Sequence, residues 1–537
     1  MQAGLLSCAL VRHNEPVYQK ITIMKKSLLG ILAALPVSSL LAQEPADALR
    51  FSWTTTGGTA RHQAIGGAMG SLGGDLSATY VNPAGLAFYR TGDIVFTPTY
   101  KFGEQKSTYL GTTAVEDSKR FVWGTTGLVL GSGSNPSRDI RNVAFSIAIN
   151  RSADFNSDIE YRGQNNQSSY SQKFMEEIRD DGTKDPNRVA SEFPYGTSLA
   201  FNTFWIDTIA GGSSNNYQFQ SRSANLVSTG LLQNQTIRNR GGIDEVALGL
   251  AVSVKDKLMV GGTLGIPILH YSREAEFLEA DATNNQANKF NYGLFTEELS
   301  TIGVGVNLKA GLIYKPAEYW RLGLALHSPT VYSLTDKYST SVTTDTEGYM
   351  GVQSQTSEYV AGESEFKYLM TTPYRVIGSV SYVLREIQDV TKQRGFITAD
   401  VEYVNYKAAS FAPEDEVNTD QSTKDYFQAL NQAIDRAYKG SFNFRVGGEL
   451  KFTTLMVRLG AAYYGNPYKD INGEKGHKLN LSGGLGYRNK GMFVDLTYVH
   501  ALQRDVHFAY RLATAPYSGA SIRSATGNVL LTLGFKI

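Results

Sequence analysis

The chain of 537 residues contains a single cysteine, Cys8. A disulfide framework and a cysteine-based zinc site are therefore excluded. Charge is scarce as well: Asp, Glu, Lys and Arg make up 19% of residues, against ~25% in ordinary soluble domains. The 51 basic and 50 acidic side chains leave a formal net charge of +1. A phosphate backbone demands a basic face, so nucleic acid is not expected as a partner. Long apolar runs are missing too. Beyond residue 43 none approaches the ~20 residues that a membrane-crossing helix needs. What the chain has instead is 53 Gly, 31 Tyr and 25 Phe. Length alone would give about three or four domains of ~150 residues. A Gly- and Tyr-rich chain of low charge fits one large β-protein better, and a membrane barrel is the sharpest form of that reading.

Met24-Lys25-Lys26 opens a segment with the parts of a secretory signal. A basic start leads into an apolar stretch broken by Pro36, with Ala42 at the expected cut. Cleavage is expected after Ala42 or Gln43, although Leu40 is large for its place three residues before the first of these. The competing reading, a buried core helix, does not account for the polar Gln43-Glu44-Pro45 that follows at once. Residues 1–23 read as an upstream extension with Met24 as the start, which would leave the mature chain free of cysteine. Leu5-Leu6-Ser7-Cys8 has the look of a lipoprotein cleavage site, but no charged or apolar region precedes it. An exported chain with no helical span can be integral to a membrane only as a closed barrel, since lipid satisfies no open strand edge. The outer membrane of a Gram-negative-type cell is the expected location.

Membrane strands alternate apolar and polar side chains over ~9–11 residues. Phe442, Phe444 and Val446 alternate with Asn443 and Arg445. Met492, Val494, Leu496 and Tyr498 alternate with Asp495 and Thr497. The last stretch sets Val529, Leu531, Leu533, Phe535 and Ile537 against Thr532, Gly534 and Lys536. Such a terminal strand resembles the signal read by the barrel assembly machinery, though that signal more often ends on Phe. Fourteen strands are predicted, near 93–103, 119–131, 143–155, 244–255, 257–273, 301–315, 318–334, 372–386, 394–407, 441–451, 453–465, 478–488, 491–502 and 526–537. Short links such as Val254-Lys255-Asp256-Lys257 alternate with long ones near 156–243, 274–300, 335–371, 408–440, 466–477 and 503–525. This asymmetry, with an even strand count, fits an all-β, 14-stranded antiparallel transmembrane β-barrel with long extracellular loops. A soluble multi-sandwich protein would have no reason for it. Within the loops, Ser171–Arg179 has the pattern of a short amphipathic helix. Phe427, Leu430 and Ile434 fall at helical spacing in a second helix over 426–437.

The segment before the first strand is different. It holds Gly57-Gly58, Gly66-Gly67, Gly70 and Gly73-Gly74, with no Lys-Ser/Thr after them, so a phosphate loop is dismissed. Small residues let a backbone run close to a wall. The stretch Ala60–Ala87 contains Gly66-Gly67-Ala68, Asp75-Leu76-Ser77-Ala78 and Asn82-Pro83-Ala84-Gly85-Leu86. In that order these elements resemble the hatch of the FadL/TodX family of outer-membrane transporters. Leu322–Pro329 resembles the family strand that enters a long loop, and Thr372–Tyr382 resembles another of its strands. The resemblance implies a 14-stranded barrel plugged by an N-terminal hatch. It implies residues 1–42 as extension and signal peptide, 43–92 as hatch and 93–537 as barrel. It also implies passive uptake of hydrophobic substrates, typically long-chain fatty acids and in some members aromatic hydrocarbons, by extracellular capture, hatch movement and lateral release. Gating is carried over to Asn82, Pro83 and Ala84, and a monomer embedded in outer-membrane lipid is expected.

A fatty acid leaving water needs an apolar groove and a cation for its carboxylate. Strand alternation turns Arg321, Arg375, Asp400, Glu402, Arg445, Glu449, Arg458 and Asp495 into the lumen. They read as a lattice joining plug to wall, or, for Arg375, Arg445 or Arg458, as a direct contact to a substrate carboxylate. The aromatics Phe193, Tyr195, Phe201, Phe204 and Trp205 of the longest link either line the approach or form a loop core. Competing functions are less well supported. A haem receptor would draw on His62, His270, His327, His477, His500 or His507, which form no pair by spacing. A lipid hydrolase would need an oriented Ser–His pair, and the adjacent His327 and Ser328 point to opposite faces of a strand. A general porin would not carry a Gly-rich plug. No enzyme activity, metal or cofactor is expected.

Overall fold

The computed structural model describes residues 45–53, 57–133, 137–209, 217–283, 285–384, 394–469 and 476–537. The expected signal segment, its cleavage site and Cys8 lie outside these residues. Fourteen antiparallel strands close on themselves. They are β1 (Asp93–Phe96 and Pro98–Tyr109), β2 (Thr112–Trp123 and Thr126–Gly131), β3 (Ile140–Asp154 and Ser157–Asn165), β4 (Leu231–Val254), β5 (Leu258–Asp281), β6 (Tyr292–Tyr314) and β7 (Trp320–His327 and Val331–Asp345). The circuit continues through β8 (Glu365–Thr371 and Arg375–Leu384), β9 (Gly395–Asn405 and Ser410–Pro413), β10 (Gly440–Lys451), β11 (Leu455–Tyr464), β12 (His477–Asn489), β13 (Met492–His507) and β14 (Ala520–Lys536). Strand β14 pairs with β13 on one side and with β1 on the other, which shuts the barrel.

Each strand stands where alternation predicted it. Most run further toward the long-loop end than predicted, so the links expected at 274–300 and 335–371 shrink, and 157–165 and 231–243 pair as strand rather than loop. The cause is polarity. In the belt, the outward side chains are large and apolar: Leu248 and Leu250 on β4, Leu264, Ile266 and Ile268 on β5, Val304, Val306 and Leu308 on β6. Above it the outward residues are Arg238, Arg240, Ser272, Glu298, Ser300, Ser333 and Lys337. A search for apolar alternation stops at that border, whereas backbone pairing does not. A continuous exposed apolar belt on a closed sheet is the mark of a lipid-facing wall.

The short turns follow from local chemistry. Lys255 and Asp256 both have positive φ (53° and 56°), and the Lys257 N–H donates to Val254 O, which makes a tight primed turn matched to strand twist. Leu110 and Gly111 make a two-residue link between β1 and β2 at the long-loop end, so that end has one short connection.

Inside the barrel lies the N-terminal segment. It comprises helix α1 (Pro45–Ser52), helix α2 (Ala60–Ala64), helix α3 (Ala78–Val81) and a 3-10 turn over Pro83–Phe88. From Gly58 to Ala87 all but Gln63, Gly73 and Gly74 are buried. Helix α1 sits higher, where Phe51 packs on Phe155 and Tyr271. Both expected loop helices are present: α4 (Ser171–Asp181) and α5 (Gln421–Ala437). Phe427, Leu430 and Ile434 of α5 bury into the same apolar cluster as Leu49 and Phe51. Phe193, Leu199 and Trp205 are buried in the long loop. Trp205 stacks with Tyr170 and Phe290, and Phe201 packs edge-on to Phe219. These aromatics form a loop core.

Candidate functional site: the hatch and the lumen

The hatch approaches the wall where the inward side chain is absent. A Cβ on Gly447 or Gly460 would meet the backbone of Ile65 or Gly66 at 2.2 Å and 2.1 Å. Gly261, Gly311 and Gly323, on three successive strands, would likewise strike Pro83, Asn82 and Gly70. The wall is therefore notched to receive the plug, at positions whose strand alternation points inward. Side-chain bonds then fix the hatch. The Met69 and Gly70 amides both donate to Asp400 Oδ2 at 2.9 Å. Thr532 Oγ1 accepts from the Ala60 amide, Ser482 Oγ from the Gly66 amide, and Thr79 bonds Ser146.

Asn82 joins several parts of this arrangement. Its backbone is extended, with φ −146° and ψ 102°, and its Oδ1 accepts from the Ala84 amide at 3.1 Å, capping the turn that Pro83 opens. Its Nδ2 donates to Gly70 O, to Leu312 O of β6 and to Leu324 O of β7. One side chain thus ties hatch to hatch and hatch to wall, and it is fully buried. Pro83 and Ala84 are buried beside it and carry no side-chain bond of their own.

The three candidate arginines separate into two groups. Arg458 donates to Glu449 at 2.6 Å and to Asp495 at 2.6 Å, and Arg61 of the hatch reaches the same Glu449. Arg375 and Arg445 share Glu402, and Arg375 also donates to Ser52 O at the end of α1. Arg375 and Arg445 line a lumen cavity of about 110 Å³ together with His62, Glu245, Lys309 and His327; Arg458 does not. Phe51, Tyr80, Val81, Tyr332 and Ile377 supply its apolar side. His62 and His327, unpaired in sequence spacing, thus reach one cavity. The His62 Nδ1 is buried without a hydrogen-bond partner. Burial, opposed by Asp75 and aided by Arg445 and Arg61, pulls the His62 imidazole down to about 4. His270 is exposed on the outer wall, and His507 bonds Tyr161.

The wall itself is incomplete on one side. The β2–β3 ladder runs only from Thr126↔Ile149 to Gly131↔Ala144. Above it, β3 shifts register between Arg151 and Ala153 and pairs only with β4, while Thr112–Trp123 of β2 pairs only with β1. Side chains cross the gap instead: Lys101 and Arg120 both reach Asp154, at 2.7 Å and 3.7 Å.

A closed antiparallel barrel with an apolar outer belt and its N-terminal segment inside is the architecture of a plugged transmembrane barrel. Among solved structures it is similar to a Pseudomonas aeruginosa FadL homologue, with 14% identity, 90% of this chain and 99% of that chain covered, and a TM-score of 0.52. The Pseudomonas putida toluene transporter TodX (12% identity, 90% and 99% covered, TM-score 0.48) and the Ralstonia pickettii toluene transporter TbuX (13% identity, 90% and 98% covered, TM-score 0.47) also match. The chain thus has the FadL-type barrel fold. No protein-family model and no curated protein sequence matches it.

Proposed function

We propose that the protein is an outer-membrane channel for passive uptake of hydrophobic molecules, with long-chain fatty acids as its first substrate class. One observation carries the reading: a hatch of small residues, seated in a glycine-notched lumen and held to the wall by side-chain bonds rather than by strand pairing. That is the build of a gate. The lumen cavity, at about 110 Å³, is smaller than the ~300–1,000 Å³ of a typical ligand pocket. On this reading the hatch moves to make room for substrate. Arg375 and Arg445 face that cavity as cations for a substrate carboxylate, each already shared with Glu402. Release follows laterally through the gap between β2 and β3, where no backbone ladder has to open.

Aromatic hydrocarbons, which the hatch resemblance implies for some members of the FadL/TodX family, are the alternative substrate. The purified protein in liposomes, offered oleate, toluene and haemin, decides among them. Accumulation of oleate is expected. Toluene uptake without oleate uptake would move the assignment to the second class. Passage of sugars with neither would replace it with a porin.

A further inference from the structure

The wall is interrupted at a second place, on the far side from β2 and β3. Strand β7 pairs with β8 up to His327↔Arg375 and resumes at Val331↔Thr371. The three residues between on β7 are Ser328, Pro329 and Thr330, and on β8 they are Thr372, Pro373 and Tyr374. Register sets the two prolines opposite each other. Neither has an amide hydrogen to give, so the ladder is cut from both sides. One backbone bond, from the Thr372 amide to Thr330 O, joins these segments. The Thr330 amide goes to a side chain, Thr372 Oγ1. The break continues sideways. On β6, Asn307 and Leu308 face the three residues 328–330, and on β9 the ladder skips from Val404 to Ser410.

What lies on either side of the break matters. Outside is a groove lined by Leu250, Leu264, Leu308, Leu326, Tyr374 and Val376 around the small Gly262 and Ala310. Inside is the lumen cavity. The two share Lys309, His327, Ser328 and Arg375, so a single thickness of interrupted sheet separates them. The height is also informative. Below the break the outward residues of β7 are Leu322, Leu324 and Leu326; above it, past Val331, they are Ser333 and Lys337. The break opens at the top of the apolar belt. It is also coupled to the plug, because His327 Nε2 bonds Val81 O next to Asn82, and Arg375 bonds Ser52 O. A hatch that moves must release both residues that flank the break.

We propose that this break between β7 and β8 is a second lateral portal, through which an apolar substrate passes between the lumen and the outer groove. The inference rests on the transport reading above and adds a route to it. The groove takes an acyl chain against its leucines, and the missing backbone bonds let the strands part there at small cost.

The test uses the full-length protein with Cys8 replaced by serine, reconstituted in liposomes. Ser328→Cys with Tyr374→Cys places thiols at opposed, exposed positions, to be joined by a short bifunctional thiol reagent cleavable by reductant. Ala310→Trp fills the groove from the lipid side and leaves the ladder alone. Leu459→Trp, an outward position on β11, is the control. Cross-linking is expected to lower oleate uptake at least fivefold, with recovery on reduction. Ala310→Trp should lower it comparably and Leu459→Trp leave it at the parental rate. Parental uptake in both the cross-linked protein and Ala310→Trp overturns the portal while leaving transport standing. Uptake of neither oleate nor toluene by the parent overturns both.

Discussion

Single side chains at the hatch carry separable roles. Asn82 ties the hatch to itself and to two strands, and each bond contributes about 0.5–1.5 kcal/mol. Asn82→Ala is expected to reduce uptake while the barrel still assembles; uptake equal to the parent would remove Asn82 from the gate. Arg458 is sealed between Glu449 and Asp495 with no exposed side-chain surface. Arg458→Ala takes from Asp495 the guanidinium that pairs with it and leaves Glu449 to the longer contact from Arg61, and should cost about 3–5 kcal/mol of stability. An unchanged midpoint of urea unfolding would contradict its place in the lattice. Arg375→Gln should act differently, raising the concentration of fatty acid needed for half-maximal uptake while toluene uptake is spared; an equal effect on both would dismiss it as a carboxylate contact. His62 gives the hatch a pH dependence. Its folded value, about 4, lies below the ordinary 6.5. Hatch docking is therefore at full strength above pH 6.5 and weakens as pH falls toward 4, because the released imidazole takes a proton that the docked one refuses. Hydrogen exchange of hatch amides should accelerate over that window, and His62→Gln should flatten the response.

At the scale of elements, the barrel strands were legible because lipid on one face and lumen on the other impose a period of two. The legibility ended at the apolar belt. Alternation ends strand β7 near 334 and gives 335–371 to a loop, yet β7 pairs with β6 through Val331–Asp345 and with β8 as far as Lys337. Its outward Ser333 and Lys337 carry no apolar signal for pairing. The charged lumen residues were legible by the same alternation, whereas their partners were not, since Glu402 and Arg375 meet across neighbouring strands by register alone. The wall glycines were the missed signal. Gly261, Gly311, Gly323, Gly447 and Gly460 lie at inward positions, and only the bound hatch explains them. Gly447→Leu should unseat the hatch near Ile65 without breaking the β9–β10 ladder, and raise ion conductance in planar bilayers; a conductance equal to the parent would mean that the hatch tolerates the bulk.

For the whole molecule, the fold reads as one unit although its length fits three or four domains, and the scarcity of charge is that of a barrel whose belt faces lipid. The polar upper strands described above have a further consequence. The second segment of β7 alone is 15 residues long. At ~3.3 Å per residue and a tilt near 45°, it raises the rim by roughly 35 Å. A wall of that height, with Arg, Lys and Glu on its outer face, would lift this side of the mouth above the saccharide brush of an outer membrane. An oily molecule would then meet protein before it met sugar, and the layer that repels it from the membrane would be bypassed rather than crossed.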